Sequence, residues 1–344
     1  MPECFIFPSR LEPWKVRAMA SLDSIFFGKK VKNPLVLASG VLGVTKASLE
    51  AVCDNGCGIV TTKSLTPEAR KGHDGPNIVE TECGLLNAMG YPNPGIDEGL
   101  KEFSPWKRKD EALIVSIVGK DKAEFGMLAE KVEMMRKAKG EKKSKSENKA
   151  NDGDGLFGAS AIEAVISCPH TPGYGMMAGQ GTPECVCDIT NAIKEKTKLP
   201  LIIKLSPSVP GEVKLARSAE DAGADCINMG NSLGPGMKID LARKRPILGF
   251  GMGGLSGPAI KPIAVRCVYD IYKSVDIPII GTGGITNGVD AIEMMMAGAS
   301  YVGVGTAVYF RGPKVFGTIS SEMKDWMEKN GYSKIEKIVG AAHV

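Results

Sequence analysis

Ala161-Ile162-Glu163-Ala164-Val165-Ile166-Ser167-Cys168-Pro169-His170 is a β-branched run that ends on a cysteine one residue before a proline. Gly158 and Pro169 bound the run, and it reads as a buried strand. Its C-terminal end is where a strand hands over to a loop, and in parallel α/β folds that rim carries the chemistry. A thiol there can act as nucleophile or general base when its surroundings tune its pKa. Taken alone, a cysteine of this kind is more often a buried structural residue. The rest of the chain decides between the two readings.

Seven further apolar runs share the character of the first, at residues 35–39, 58–63, 112–117, 200–205, 225–229, 277–281 and 301–304. Amphipathic stretches of helical length lie between most of them, at 123–138, 183–197, 212–222, 258–274 and 289–297. Eight near-continuous apolar strands with intervening helices predict an α/β fold, a single (β/α)8 TIM barrel formed by residues 1–344 as one domain. A doubly wound open sheet is the alternative. It is disfavoured because no strand is followed by a clean G-x-G-x-x-G opening a helix. Residues 67–105 form an extended insertion after the second strand, too long for an ordinary βα connection and expected to shape a substrate pocket. The segment 138–155 (AKGEKKSKSENKANDGDG) is charged and almost free of apolar side chains, and is expected to be a mobile polar loop.

The 344 residues are 43% hydrophobic and carry a net charge of +4 from 43 basic and 39 acidic side chains. That balance describes an ordinary water-soluble core and argues against a nucleic-acid partner. No window of 18 consecutive apolar residues is present, so no membrane span is expected, and the N-terminus does not read as a signal peptide. The nine cysteines are scattered. Cys53 and Cys57 lie four apart on a predicted helix, and Cys185 and Cys187 are separated by one residue. Neither spacing suits zinc or iron–sulfur ligation, so no metal site is expected and the thiols read as reduced in a cytoplasmic protein. Met294-Met295-Met296 reads as core packing against the barrel.

Glycine is concentrated at strand ends. Gly281-Thr282-Gly283-Gly284-Ile285 follows the seventh strand and Gly303-Val304-Gly305-Thr306 closes the eighth. Glycines let backbone N–H groups approach an anion, and the loops after strands seven and eight form the usual barrel phosphate site. Lys63 after the second strand, Lys204 on the fifth and Asn231-Ser232 after the sixth fall on the same rim. A lysine inside an apolar strand needs an anionic or hydrogen-bonding partner. A redox cofactor that becomes anionic on reduction would supply one; a structural ion pair is the plainer reading for Lys204.

These residues carry a resemblance. The segments at 33–40, 62–64, 86–95 (Leu-Asn-Ala-Met-Gly-Tyr-Pro-Asn-Pro-Gly), 167–170, 203–207, 253–262, 281–285 and 305–306 together resemble the flavin-dependent dihydroorotate dehydrogenases, and most of all their soluble FMN-containing catalytic subunits. The match runs from about Asn33 to His343. The resemblance implies that Ser39, Lys63, Ser64, Ser116, Lys204, Gly230, Gly257, Gly283, Gly284, Gly305 and Thr306 surround FMN, the last four near its phosphate. It implies that Lys204 faces the N1/O2 edge, and that Lys63, Asn87, Met89, Gly90, Tyr91, Asn231 and Ser232 hold a planar pyrimidine. Cys168 would remove the C5 proton of dihydroorotate while hydride leaves C6 for flavin N5, the oxidation of dihydroorotate to orotate in pyrimidine biosynthesis. The resemblance also implies an FAD/iron–sulfur electron-transfer subunit as partner, and a homo-oligomer is expected.

The chain departs from the family pattern at three positions. Val165 stands where an asparagine is common, two residues before the serine of the S-C-P motif; Ser116 stands where an asparagine near the flavin is common; and His170 replaces an asparagine. S-C-P-H also occurs in dihydropyrimidine dehydrogenases, a secondary similarity, but those lack the N-A-M-G-Y-P-N loop that is present here. The alternatives are the same flavin chemistry on another dihydropyrimidine, or a flavin-binding paralogue without turnover.

Overall fold

A computed structural model describes residues 20–104, 106–141, 158–166, 173 and 180–343. The expected mobile loop therefore falls largely outside the described residues: its start continues the helix Lys122–Glu141, and 142–155 are not among them. Cys168 and His170 lie outside them too.

Eight parallel strands close into a barrel: β1 (Leu35–Leu37), β2 (Ile59–Thr61), β3 (Ala112–Ile117), β4 (Ala159–Val165), β5 (Leu201–Leu205), β6 (Cys226–Met229), β7 (Ile279–Thr282) and β8 (Tyr301–Val304). They follow one another round the barrel in chain order, and β8 pairs with β1 to shut it. The eight apolar runs of the sequence correspond to these eight strands. β3 is buried at every position, as a strand must be when one face meets the barrel interior and the other meets helices.

Alternation along the strands sorts the side chains into two cores. Leu35, Leu37, Leu113 and Val115 point outward and pack beneath the helices. Val36, Ile114, Ala161, Ile202 and Ile280 point inward and fill the lower barrel. An N-terminal hairpin, Ser24–Phe26 with Lys29–Val31, plugs that lower end. The Phe26 ring meets the edge of Tyr301 at 5.1 Å, and the Tyr301 hydroxyl donates to the Ile25 carbonyl. With the bottom sealed by apolar groups, the only polar layer of the described interior lies toward the C-terminal ends of the strands.

A second, antiparallel sheet sits at those ends. It joins Ile78–Thr81 and Gly84–Asn87, from the connection after β2, to Gly253–Ser256 and Leu233–Gly236, from the connection after β6. The connection after β2 also carries the helix Ile96–Phe103. Cys57 lies beyond the end of the helix Lys46–Asp54, so it does not share that helix with Cys53 as the spacing suggested. The Asn55–Gly56 turn between them ends the helix, Gly56 at φ 102. Met294 and Met295 are buried under the barrel.

Candidate active site

The inward positions above Ile114, Ala161, Ile202 and Ile280 are Ser116, Glu163, Lys204 and Thr282. Period-two alternation thus puts polar side chains from adjacent strands in one layer, directly over an apolar plug. Over that layer opens a cavity of about 620 Å³, within the range of cofactor and substrate pockets.

The cavity brings together residues far apart in the chain. Ser39, Lys63, Ser64, Lys204 and Gly230 line it, as do Gly257, Gly283, Gly284, Gly305 and Thr306. So do Asn87, Met89, Gly90, Tyr91, Asn231 and Ser232 from the connections that carry the rim sheet. Ser116 does not line it: it is fully buried one layer below, hydrogen-bonded to Ser64 and Glu163 at 3.0 Å each. Cys168 follows Val165, which lines the cavity at the end of β4, by three residues in the sequence and lies outside the described residues.

One end of the cavity is built from backbone. Gly284, at φ 75, turns the chain between β7 and the helix Gly288–Met296, and a Cβ there would stand 2.4 Å from Lys261 Cβ. Gly305 is different: a Cβ built on it would meet nothing closer than 3.6 Å. Its bareness leaves open space at the start of the helix Thr306–Arg311, whose first residues line the cavity. Thr306 Oγ1 donates to Ser256 Oγ at 2.8 Å, tying this end to the rim sheet.

Full positive charge is supplied by side chains. Lys63 and Lys204 are both buried and both line the cavity. Burial, and then the neighbouring charge of Lys204, pull the Lys63 ammonium down to about 8. Lys204 Nζ lies 3.6 Å from Glu163 Oε1, so the plainer reading of Lys204 as an ion-pair partner has a structural counterpart. Glu163 is almost wholly buried; Ser116 donates to its Oε1 and Asn228 Nδ2 to its Oε2 at 2.6 Å. The sequence reading missed Glu163, Asn228 and Thr282. The signal was available: a carboxylate inside an apolar strand is as anomalous as the lysine that drew attention to β5.

At the other end, Val165 joins Val118 in a small apolar cluster against which Tyr91 packs. Tyr91 has φ 57, an uncommon conformation for a residue with a side chain. Asn87 donates through Nδ2 to the Gly254 carbonyl at 3.2 Å, fixing its amide across the rim sheet.

A glycine cradle with room for an anion, a buried cationic edge and a polar rim fit a flat, phosphorylated cofactor, and they define the chain as a barrel enzyme with its chemistry at the C-terminal ends of the strands. Comparison with known proteins narrows the class. The family model for dihydroorotate dehydrogenase matches residues 21–327. The chain is 44% identical over 321 residues to a protein of Pyrococcus horikoshii named dihydroorotate dehydrogenase B (NAD(+)), catalytic subunit, covering 93% of this chain and 97% of the relative. Proteins of the same name from Pyrococcus furiosus and Methanocaldococcus jannaschii are 44% and 41% identical, over 94% and 92% of this chain and 99% and 96% of their own. The chain belongs to the dihydroorotate dehydrogenase family. It is accordingly an oxidoreductase acting on a CH–CH donor, in a family that implies a flavin cofactor.

Proposed function

We propose that this chain binds FMN in the cavity, its phosphate in the glycine cradle of Gly283, Gly284, Gly305 and Thr306 and its ring system beside Lys204. The reaction is the oxidation of dihydroorotate to orotate in pyrimidine biosynthesis. Bound FMN would supply the two-electron acceptor for the hydride that leaves C6. The protein's own residues would do the rest. Cys168, as thiolate, takes the C5 proton. Lys63 meets the substrate carboxylate with its ammonium; Asn87, Asn231 and Ser232 offer amide and hydroxyl groups to the ring; Met89 and Tyr91 flank it. The rim sheet holds Asn87 at a fixed angle, so the substrate would meet a preformed edge.

The observation that carries this reading is the convergence of Lys63, Lys204, the Asn87–Tyr91 segment and both glycine loops on one cavity. The relatives are named as catalytic subunits, and their printed name includes NAD(+). We infer a partner subunit for the present chain as well; an FAD/iron–sulfur subunit would suit it, carrying electrons onward with NAD(+) as acceptor. Anaerobic mixing of the FMN-loaded protein with dihydroorotate, followed by flavin absorbance, tests the assignment. Bleaching with dihydroorotate and not with dihydrouracil supports it, because only the former has a carboxylate for Lys63. Bleaching with dihydrouracil alone would overturn it.

A further inference from the structure

Glu163 belongs to a continuous hydrogen-bonded belt that runs round the barrel beneath the cavity. Ser39 Oγ contacts Ser64 Oγ at 3.0 Å, and Ser64 Oγ contacts Ser116 Oγ at 3.0 Å. Ser116 donates to Glu163 Oε1, and Asn228 Nδ2 donates to Glu163 Oε2. Thr282 Oγ1 donates to Asn228 Oδ1 at 3.0 Å. A carboxylate has no hydrogen to give, so the amide nitrogen of Asn228 must face Glu163 and its oxygen must face Thr282. Each link therefore fixes the next. At one end the belt reaches Ser39 and Ser64 on the cavity wall; at the other it reaches Thr282, the residue before Gly283 and Gly284.

Among the described residues Glu163 is the carboxylate of this belt, and the Lys204 ammonium lies beside it at 3.6 Å. Both of its oxygens are held by neutral donors from strands on either side, which pins the carboxylate without using up its charge. Lys204 meanwhile shares the cavity with a second buried ammonium, Lys63, which pushes against it. An ammonium in that position needs a fixed counter-charge on the side away from the ligand. Glu163 supplies one from the adjacent strand, 3.6 Å away and nearly without solvent contact.

We propose that Glu163 is a positioning residue that holds the Lys204 ammonium on the cavity floor and so presents its charge to the cofactor; this rests on the proposed FMN site. Ser116 serves by steering Glu163, which accounts for a serine at a position where the resemblance led one to expect an amide against the flavin. The belt ties Lys204 to the cavity wall and to the phosphate loop as one unit.

The test uses apoprotein reconstituted with FMN, read by fluorescence titration and by the flavin midpoint potential, neither of which depends on turnover. Glu163→Gln keeps the size of the side chain and one acceptor. It is expected to weaken FMN binding at least tenfold and to shift the midpoint potential. Lys204→Met is expected to do the same, and Glu163→Gln with Lys204→Met together should be no worse than Lys204→Met alone, because the two residues act as one. Parental affinity and potential in Glu163→Gln, or losses that add up in the double variant, would overturn the proposal. If Glu163→Gln fails to fold, Ser116→Ala is the second variant. A smaller loss of affinity and a potential shift of the same sign support steering, and no change in either rejects it. Failure of the underlying FMN reading is distinguishable, since the parental apoprotein would then not take up FMN at all.

Discussion

Lys63, after β2, and Lys204, on β5, reach one cavity from strands three places apart round the barrel, and the charge of Lys204 works against that of Lys63. Lys63 bears the consequence: with its ammonium drawn down to about 8 by burial and by Lys204, it is cationic below that pH and neutral above it. An anionic ligand should therefore bind best below pH 8. Orotate affinity should fall as pH rises through that point, by up to about tenfold per pH unit if only the ammonium form binds. Titrating orotate against flavin absorbance between pH 7 and 9 checks this. Lys63→Met should bind weakly and show no such slope; the same slope in both proteins would assign it to another group.

Gly305 offers a separate test of the phosphate cradle. A methyl group there meets no atom closer than 3.6 Å in the protein itself. Gly305→Ala should leave thermal stability within about 0.5 kcal/mol of the parent. FMN affinity should nevertheless drop severalfold or more, because the new methyl takes the space of the ligand. Unchanged FMN affinity would place the phosphate elsewhere.

Cys168→Ser should retain FMN and slow flavin reduction by dihydroorotate by about two to four orders of magnitude at neutral pH, the usual loss on removing a general base. Part of the rate should return at high pH, where an alkoxide becomes accessible. Stopped-flow reduction across a pH series measures both, and reduction at the parental rate would make the cysteine structural.

Val165 faces the cavity with Val118 and Tyr91 around it, so an apolar corner stands where a hydrogen-bonding post is common in the family. Val165→Asn should tighten orotate binding by about two- to tenfold, the worth of roughly 0.5–1.5 kcal/mol for one neutral hydrogen bond. The ligand-free protein should lose about 1–3 kcal/mol, because the amide is then unpaired among apolar neighbours. Calorimetry with and without orotate separates the two effects. Weaker orotate binding would mean that the ligand presents an apolar edge to this corner.

The barrel strands were readable because each is buried on both faces and writes a run of apolar residues, as in Ala112–Ile117. The rim sheet was not readable. Leu233–Gly236 reads LGPG and Gly253–Ser256 reads GGLS, compositions that carry no strand signal; the first pairs with the second within one connection, and the second pairs with Gly84–Asn87 from the other. In the site, residues with a glycine or loop motif could be picked out, whereas Glu163 belongs to no motif and stands out only as a charge between Ile162 and Ala164. Ser116 shows the limit of motif reading from the other side. The resemblance placed it beside the flavin, but its hydroxyl is engaged by the Glu163 carboxylate directly across the β3–β4 pairing.

The rim sheet has a further consequence. Gly84–Asn87 pairs residue for residue with Gly253–Ser256, so segments separated by well over a hundred positions are sewn into one roof. Neither segment can gain or lose a single residue without turning its own side chains to the opposite face or breaking the pairing. In barrels of this kind loops are ordinarily the free variable through which new specificities arise. Here two of them are locked to each other, and adaptation to a new substrate would have to proceed by exchanging side chains in place. Val165, the apolar corner at the end of β4 and on the cavity wall, is a position where such an exchange would be felt.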